Sequence, residues 1–207
     1  MLIGITGGIG SGKSTLARML AERGAGLVDA DLVGHRALEL PALAAALVAE
    51  FGSQIADEKG QVQRRELGKL AFASAESFAK LTRTVRPYLE PMLWGEVNQL
   101  QAQPGGGVVI VDAALIYEWG VANRFDLVVV VDAPEGIRCR RAAARQGLSE
   151  AEVLRRMAWQ LAPAEKRARA DVVVENTGSL EELARRAEEI WQQLQDTPRR
   201  KQGSSES

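Results

Sequence analysis

The chain opens with the stretch LIGITGGIGSGKS at residues 2–14, an apolar run that leads directly into a glycine-rich loop. The loop at 7–14 matches the pattern G-x-x-x-x-G-K-S/T, which follows a strand and opens a helix in phosphate-binding proteins. Glycines are needed in such a loop because a Cβ would keep backbone N–H groups from turning toward a phosphate. The stretch therefore predicts an α/β fold with a nucleotide-phosphate site at the end of its first strand.

Four further apolar runs are short, rich in β-branched residues and nearly unbroken, as expected of strands buried on both faces of a parallel sheet. They lie at 26–28, 108–111, 127–131 and 172–174. Helical periodicity separates them, and it occurs at 14–23, 134–145 and 180–194. This alternation predicts the α/β class, a P-loop NTPase of three layers (α/β/α) with a central parallel sheet.

Two mostly helical stretches interrupt the alternation. Residues 31–103 carry one turn signal, Glu58-Lys59-Gly60, and are interpreted as a helical insertion that holds part of an acceptor site. Residues 149–169 are rich in arginine, as expected of a helical lid over phosphates. The PGGG run at 104–107 is read as a linker into the next strand rather than a second phosphate loop, since no lysine follows it.

These boundaries predict one domain over 1–195. Its core would comprise 1–30, 104–148 and 170–195, followed by a disordered tail at 196–207 because that end lacks apolar periodicity.

The composition narrows the range of partners and compartments. Lys and Arg total 26 against 27 Asp and Glu in 207 residues, so no basic field indicates a nucleic-acid partner. Neither a signal peptide nor an apolar run of about 18 residues is found, which argues against a membrane span. The single cysteine, Cys139, cannot form an internal disulfide. We therefore expect a cytoplasmic protein, as a monomer or weak homo-oligomer, without nucleic acid or membrane as partner.

The loop residues have separate expected tasks. Lys13 would place its charge between the β- and γ-phosphates of ATP, and Ser14 would be a ligand of Mg²⁺. Nucleotide contacts are expected from Gly8, Ile9, Gly10, Ser11, Gly12, Lys13, Ser14 and Thr15. A purely structural glycine turn is the alternative. The chain has no Asn-Lys-x-Asp run to read guanine and no evident second nucleotide-responsive module, which favours a kinase over a GTPase or a motor.

Three carboxylates end predicted strands. Asp29 and Asp31 follow the strand at 26–28, at the edge where ligands collect in open α/β sheets, and would face one way if the strand geometry persisted. Asp31 is the candidate to orient an acceptor hydroxyl and Asp29 to contact the acceptor; the alternative for Asp31 is an N-cap of the next helix. Asp112 could hold Mg²⁺ through water or have a structural role.

Further motifs follow the loop in a definite order. They are VDAD at 28–31, QRREL at 63–67, DAALIYE at 112–118, the arginines of 141–145, GLS at 147–149, Gln160, Lys166, AD at 170–171 and NTGS at 176–179. Together with ITGGIGSGKST at 5–15 they resemble the bacterial dephospho-CoA kinases, over nearly the whole chain up to about residue 194.

The resemblance implies ATP-dependent phosphorylation of the ribose 3′-hydroxyl of dephospho-CoA, the last step of coenzyme A biosynthesis. The alternatives are a nucleoside or nucleotide kinase and a non-catalytic ATP-binding regulatory protein.

The resemblance also implies roles for single residues. Asp31 would orient or deprotonate the ribose hydroxyl. Arg141 and Arg145 would be lid arginines that stabilise charge on the transferred phosphoryl group, and Arg64 and Arg65 would grip the acceptor. From the residues alone, these arginines could equally lie on solvated helix faces.

Two positions depart from the family pattern. Arg86-Pro87 stands after the insertion helix where relatives commonly have His-Pro, so Arg86 keeps a cation for the acceptor and loses a titratable group. Ala114 stands where relatives have proline, which alters the stiffness of the expected acceptor wall. The only histidine, His35, lies one helical turn beyond Asp31 and could line the acceptor site or be a partly exposed bystander.

Overall fold

A parallel sheet of five strands forms the centre of the protein in the computed structural model, which describes residues 1–103 and 107–196. The strands are β1 (Leu2–Thr6), β2 (Gly26–Asp29), β3 (Val109–Asp112), β4 (Leu127–Asp132) and β5 (Val172–Glu175). Their order is β2-β3-β1-β4-β5, and every neighbouring pair is parallel. Each strand predicted from the sequence is confirmed to within one residue at either end.

Helices connect the strands. They are α1 (Lys13–Ala21), α2 (Ala30–Ala37), α3 (Pro41–Phe51), α4 (Arg64–Ala71), α5 (Ala75–Gln101), α6 (Glu135–Gln146), α7 (Glu150–Met157), α8 (Pro163–Ala168) and α9 (Leu180–Asp196). The periodic stretches at 14–23, 134–145 and 180–194 correspond to α1, α6 and α9, as predicted.

Both faces of the sheet are covered by helices, because successive strand residues point to opposite sides and nearly all are apolar. On one face, Ile3 and Ile5 of β1 pack against α1 and α9. On the other face, Leu2, Val109 and Val111 pack against α2 and α5. The predicted three-layer α/β/α arrangement is confirmed.

The stretch from 31 to 103 is helical and builds a small cluster of its own. Buried residues of α2, α3 and α4 form it together with Ile55. The turn at residues 58–60 is confirmed by an antiparallel bridge between Ala56 and Val62 on either side of it. Arg86 and Pro87, which we expected after a helix, lie inside α5, whose long amphipathic run continues through Pro87 and Pro91.

The segment from 149 to 169 folds into α7 and α8. Ser149 and Glu152 form a reciprocal capping box at the start of α7, so this helix begins where its sequence pattern indicates. Residues 104–106 of the expected linker at 104–107, and the tail from 197 onward, lie outside the described residues. Asp196, the first residue of the expected tail, is the last residue of α9. Among the described residues, no single helix is both long enough and apolar enough to span a membrane. Only α2 and α3 taken together meet these criteria, and this pair is bent by 84°.

Leu183→Ala should lower the free energy of unfolding by about 2–5 kcal/mol, because it opens a cavity in a closely packed core. Leu183 is 3% exposed and packs between α9 and the sheet, whereas Leu180, on the same helix, is 65% exposed. Leu180→Ala is the matched control and should change the free energy by less than about 0.5 kcal/mol. Urea unfolding followed by circular dichroism measures both, and equal losses would contradict this packing of α9.

Candidate active site

The glycine-rich loop joins β1 to α1 and lies against Arg138 of α6 and Asn176, the residue that follows β5. Gly10 and Gly12 adopt positive φ angles of 77° and 96°, which side chains disfavour. A Cβ on Gly10 would collide with the carbonyl oxygen of Arg138, and one on Gly12 with the side-chain amide of Asn176. That amide donates a 2.8 Å hydrogen bond to the carbonyl of Ser11. The loop is therefore a built cradle in which glycine is required by both dihedral angle and space.

Lys13 lies at the first turn of α1 with its ammonium buried. Its Nζ donates to Asp112 Oδ1 at 2.9 Å and to Ser14 Oγ at 3.3 Å. The register of β1 against β3 pairs Ile5 with Asp112 and brings this carboxylate beside the loop. A cation and a carboxylate thus meet at the point where the sequence predicts the terminal phosphates of a nucleotide.

The oxygens of Ser14 and Asp112 converge on one nitrogen, and hydroxyl and carboxylate oxygens are the donors that Mg²⁺ prefers. The residues present therefore fit the ion. Within the described parts of the chain, no group of three or more His, Cys, Asp or Glu could hold a metal by itself. An ion at this place would complete its coordination with water and phosphate oxygens, as Mg²⁺ usually does.

The two carboxylates after β2 have different surroundings. β2 ends at Asp29 and α2 begins at Ala30, so the strand period does not extend to Asp31. Asp29 Oδ1 accepts hydrogen bonds from the backbone N–H groups of Asp31, at 2.9 Å, and Leu32, at 3.1 Å. The N-cap of α2 is therefore Asp29, and the alternative in which Asp31 caps this helix is wrong. Asp31 lies in the first turn of α2 and lines the cavity described next.

A cavity of about 420 Å³ extends from the glycine-rich loop to the face of α5. Its polar end is lined by residues 8–14, Asp31, His35, Arg64, Arg145, Arg156 and Gln160. Its apolar end includes Phe72, Phe78, Leu89, Leu93, Trp94, Ile116, Trp119 and Phe125. The site therefore joins a cationic phosphate-binding end to an apolar chamber, which suits a ligand with phosphate at one end and an apolar arm at the other.

The structure brings some predicted residues into this cavity and leaves others outside. Among the described residues, Gly8 to Ser14, Asp31, Arg64 and Arg145 line it, and Thr15, Asp29, Arg65, Asp112 and Arg141 do not. Arg141 instead donates from Nη1 to the carbonyl of Asn176 at 3.0 Å.

Arg86 also lies outside the lining but near it. It pairs with Glu90 at 2.8 Å, and its guanidinium lies 5.7 Å from the ring of Trp119, which does line the cavity.

Residues without a role in the sequence analysis also line the cavity. Arg156 lies over the ring of Phe72 at 5.2 Å, and both residues contribute to the wall. The arginine-rich composition of 149–169 was the only signal for Arg156. Nothing in the local pattern distinguished Phe72, Trp94 and Trp119 from ordinary core residues, because an apolar cavity wall has the same composition as a core.

His35 stands between Asp31 and Arg64 at the polar end. Burial lowers the pKa of His35, and the Arg64 guanidinium, whose Nη1 lies 3.4 Å from Nδ1, lowers it further; Asp31 and Asp29 act in the opposite direction. The imidazole is therefore mostly neutral at pH 7 and adds little positive charge beside the Asp31 carboxylate.

The fold and the loop together define the class of this molecule, a P-loop nucleotide-binding protein with a parallel α/β core. A model of the dephospho-CoA kinase family matches residues 1–182. The chain belongs to this family, and the resemblance expected from the motifs is confirmed.

Individual relatives agree with the family assignment. A dephospho-CoA kinase of Thermobifida fusca is 40% identical over 197 residues, covering 93% of this chain and 96% of the relative. A crystal structure from Thermus thermophilus is 38% identical, with a TM-score of 0.76 and coverage of 94% of this chain and 97% of that one. Dephospho-CoA kinase from Campylobacter jejuni is 22% identical with a TM-score of 0.68, covers 93% and 96% of the two chains, and supports the fold.

Gly10→Ala should weaken nucleotide binding by at least about tenfold, because the new Cβ meets the Arg138 carbonyl and displaces the N–H groups of the loop. Gly60 is a matched control: its φ is also 77°, and a Cβ there meets no described atom within 4 Å. Gly60→Ala should cost about 1 kcal/mol of stability and leave nucleotide affinity unchanged. Titration with a fluorescent ATP analogue measures the affinities, and equal affinity losses would contradict the steric explanation.

The pKa of His35 should lie below its ordinary value near 6.5. Because the folded-state pKa is lowered, the unfolded state binds more protons below about pH 6.5, and this group reduces stability as the pH falls through that range. Arg64→Gln should raise the pKa, since it removes a neighbouring cation, whereas Arg65→Gln on the same helix should leave it unchanged.

His35 is the only histidine, so an NMR titration of its ring gives one unambiguous curve. A wild-type value above 6.5, or the same shift in both variants, would contradict the arrangement of His35 and Arg64.

Proposed function

We propose that this protein transfers the γ-phosphoryl group of ATP to the ribose 3′-hydroxyl of dephospho-CoA, giving coenzyme A and ADP. The observation that carries the proposal is the single cavity that joins the phosphate-binding loop, Asp31 and Arg64 to an apolar chamber. Membership of the dephospho-CoA kinase family supports the same acceptor. The cytoplasmic location expected from the sequence belongs to this proposal.

At the nucleotide end, the N–H groups of the loop and the Lys13 ammonium hold the β- and γ-phosphates of ATP. Such transfers depend on positioning and on electrostatic stabilisation rather than on covalent chemistry with the protein. Arg145 lines the same end and neutralises charge that develops on the transferred group. Ser14 and Asp112 would hold Mg²⁺, which supplies charge neutralisation between the phosphates.

At the acceptor end, Asp31 accepts the hydrogen bond of the 3′-hydroxyl, orients its oxygen for in-line attack on the γ-phosphorus and takes up its proton as the bond from the γ-phosphorus to ADP breaks. Neutral His35 next to it leaves the carboxylate free of a competing histidine cation. Arg64 binds the pyrophosphate of the acceptor, and the apolar chamber holds its long arm.

The remaining predicted contacts belong to the same proposal. They are acceptor contacts by Asp29, Arg65 and Arg86, stabilisation of the transferred group by Arg141, and a backbone contact of Thr15 with the nucleotide. The predicted division into core, insertion and lid is also retained: movement of the segment 149–169 over the loop would exclude water and limit ATP hydrolysis.

The test offers dephospho-CoA, adenosine, AMP and pantetheine separately and follows ADP formation from ATP with Mg²⁺. Dephospho-CoA alone should stimulate turnover and give a product phosphorylated at the ribose 3′ position. Turnover with AMP or adenosine instead would assign the protein to the nucleotide or nucleoside kinases. Silence with all four acceptors would contradict phosphoryl transfer.

In the same assay, Asp31→Asn should lower kcat by about 10²- to 10⁴-fold, because the amide cannot accept the proton of the hydroxyl. Asp57→Asn is the matched control, since Asp57 does not line the cavity and closes a turn by accepting bonds from backbone N–H groups, which asparagine also accepts. An Asp31→Asn enzyme with full kcat would remove this residue from the chemistry.

A further inference from the structure

A lysine with almost no exposure contacts the cavity wall at Ala114. Lys166 of α8 is 1% exposed, and its Nζ donates to Glu118 Oε1 at 2.8 Å and to the carbonyl of Ala114 at 2.7 Å. Neither Lys166 nor Glu118 lines the cavity. A buried charge needs such partners, because desolvation disfavours it strongly when it is unpaired.

One partner of Lys166, Ala114, belongs to the segment 113–119. We call this the wall segment, because Ala113 to Ile116 and Trp119 line the cavity. The carbonyl of Ala114 also accepts a 3.1 Å hydrogen bond from Thr6 Oγ1, at the end of β1. The wall segment is therefore held on one side by the strand that leads into the phosphate-binding loop and on the other by α8.

The other partner, Glu118, lies in the same wall segment and links it to the turn at 158–162, between α7 and α8. Glu118 Oε1 also accepts from the backbone N–H of Leu161 at 2.9 Å. The preceding residue, Gln160, accepts from the N–H of Ile9 in the phosphate-binding loop at 2.9 Å. Lys166 and Glu118 thus join the acceptor wall, the turn and the nucleotide loop in one set of hydrogen bonds.

Stability alone is a weak reason for this ion pair. Burial is the largest influence on the pKa of Lys166 and lowers it, Lys13 and Arg138 lower it further, and Glu118 acts against them. Apolar residues of similar volume often replace a buried ion pair without loss of stability. The directed bonds to Ala114 and Glu118 are what an apolar replacement could not supply.

We propose that Lys166 is a positioning residue, which holds the wall segment at the distance from the phosphate-binding loop that brings an acceptor hydroxyl in line with the γ-phosphate. The proposal rests on the proposed function, since it takes the wall segment to contact the acceptor. Lys166 does not line the cavity that holds Asp31 and Arg64; it borders a second cavity with Gly8 and Gln160. Its effect passes through Ala114 and Glu118 to the wall.

The test uses two changes in the full chain, Lys166→Met alone and the double variant Lys166→Met/Glu118→Met. The single variant leaves the Glu118 carboxylate buried without its cation and could fail to fold, whereas the double variant removes both charges and keeps the volume. Arg167→Met is the matched control, because Arg167 lies next to Lys166 on α8 and pairs with Asp132 and Glu175 away from the cavity.

The expected result is a rise of about tenfold or more in the KM for the acceptor, since a small displacement of a wall costs that much in positioning. The dissociation constant of ATP, measured without acceptor, should change by less than about threefold, because Asp112 and Asn176 still hold the loop. The double variant should combine the higher acceptor KM with a nearly unchanged ATP dissociation constant, at a melting temperature near that of the wild type. Arg167→Met should leave the acceptor KM unchanged.

An unchanged acceptor KM in a folded double variant would overturn the proposal, and so would equal losses of acceptor and ATP affinity. KM and the dissociation constant do not depend on the amount of active enzyme, so a smaller folded fraction does not imitate the effect. Failure of the proposed function is separate: it shows as a wild-type enzyme without dephospho-CoA activity. In that case the acceptor that the wild type does use takes its place in the comparison.

Discussion

The parallel register of β1 against β3 is the constraint on which the site depends. It pairs Ile5 with Asp112, which brings this carboxylate within 2.9 Å of the Lys13 ammonium. It also places the carbonyl of Ala114 within reach of Thr6. A shift of one residue would turn every side chain of β3 to the opposite face and separate both pairs. Nucleotide loop and acceptor wall are thus built from the carboxyl ends of two adjacent strands.

The site concentrates positive charge in a molecule whose net charge is close to zero. The chain carries a net charge of −1, yet Lys13, Arg64, Arg145 and Arg156 line the cavity together with Asp31, while Asp112 pairs with Lys13 from outside the lining. Phosphates are attracted to such a local field, and the apolar surroundings strengthen it because the dielectric response there is weaker than in water. In the proposed function, Asp31 is the group that takes the acceptor hydroxyl.

The local sequence pattern was sufficient to predict the strands and the glycine-rich loop. Unbroken β-branched runs occur where a strand is covered on both faces, so all five strands could be placed from sequence. The glycine-rich loop could be placed because its dihedral angles and its clearance exclude other residues. The family could be inferred because its motifs stand in order along the chain.

Side-chain direction could not be read in the same way. Arg64 and Arg65 are neighbours in a helix and point about 100° apart, so only one of them reaches the cavity, and the sequence does not say which. The sequence allows Asp29 and Asp31 to share one strand or Asp31 to cap the next helix, but the helix begins between them and Asp29 is its N-cap. In each case the outcome depends on how one element is rotated against the next.

The sequence by itself determined the strands, the main helices and the phosphate-binding loop, because these follow from the dihedral angles and burial of neighbouring residues. Only the tertiary structure decided which arginines line the cavity, which aromatic residues line it with them, and that Lys166 lies buried between Glu118 and Ala114. These features join residues separated by about 50 to 150 positions in the chain, and packing rather than local preference sets their distances.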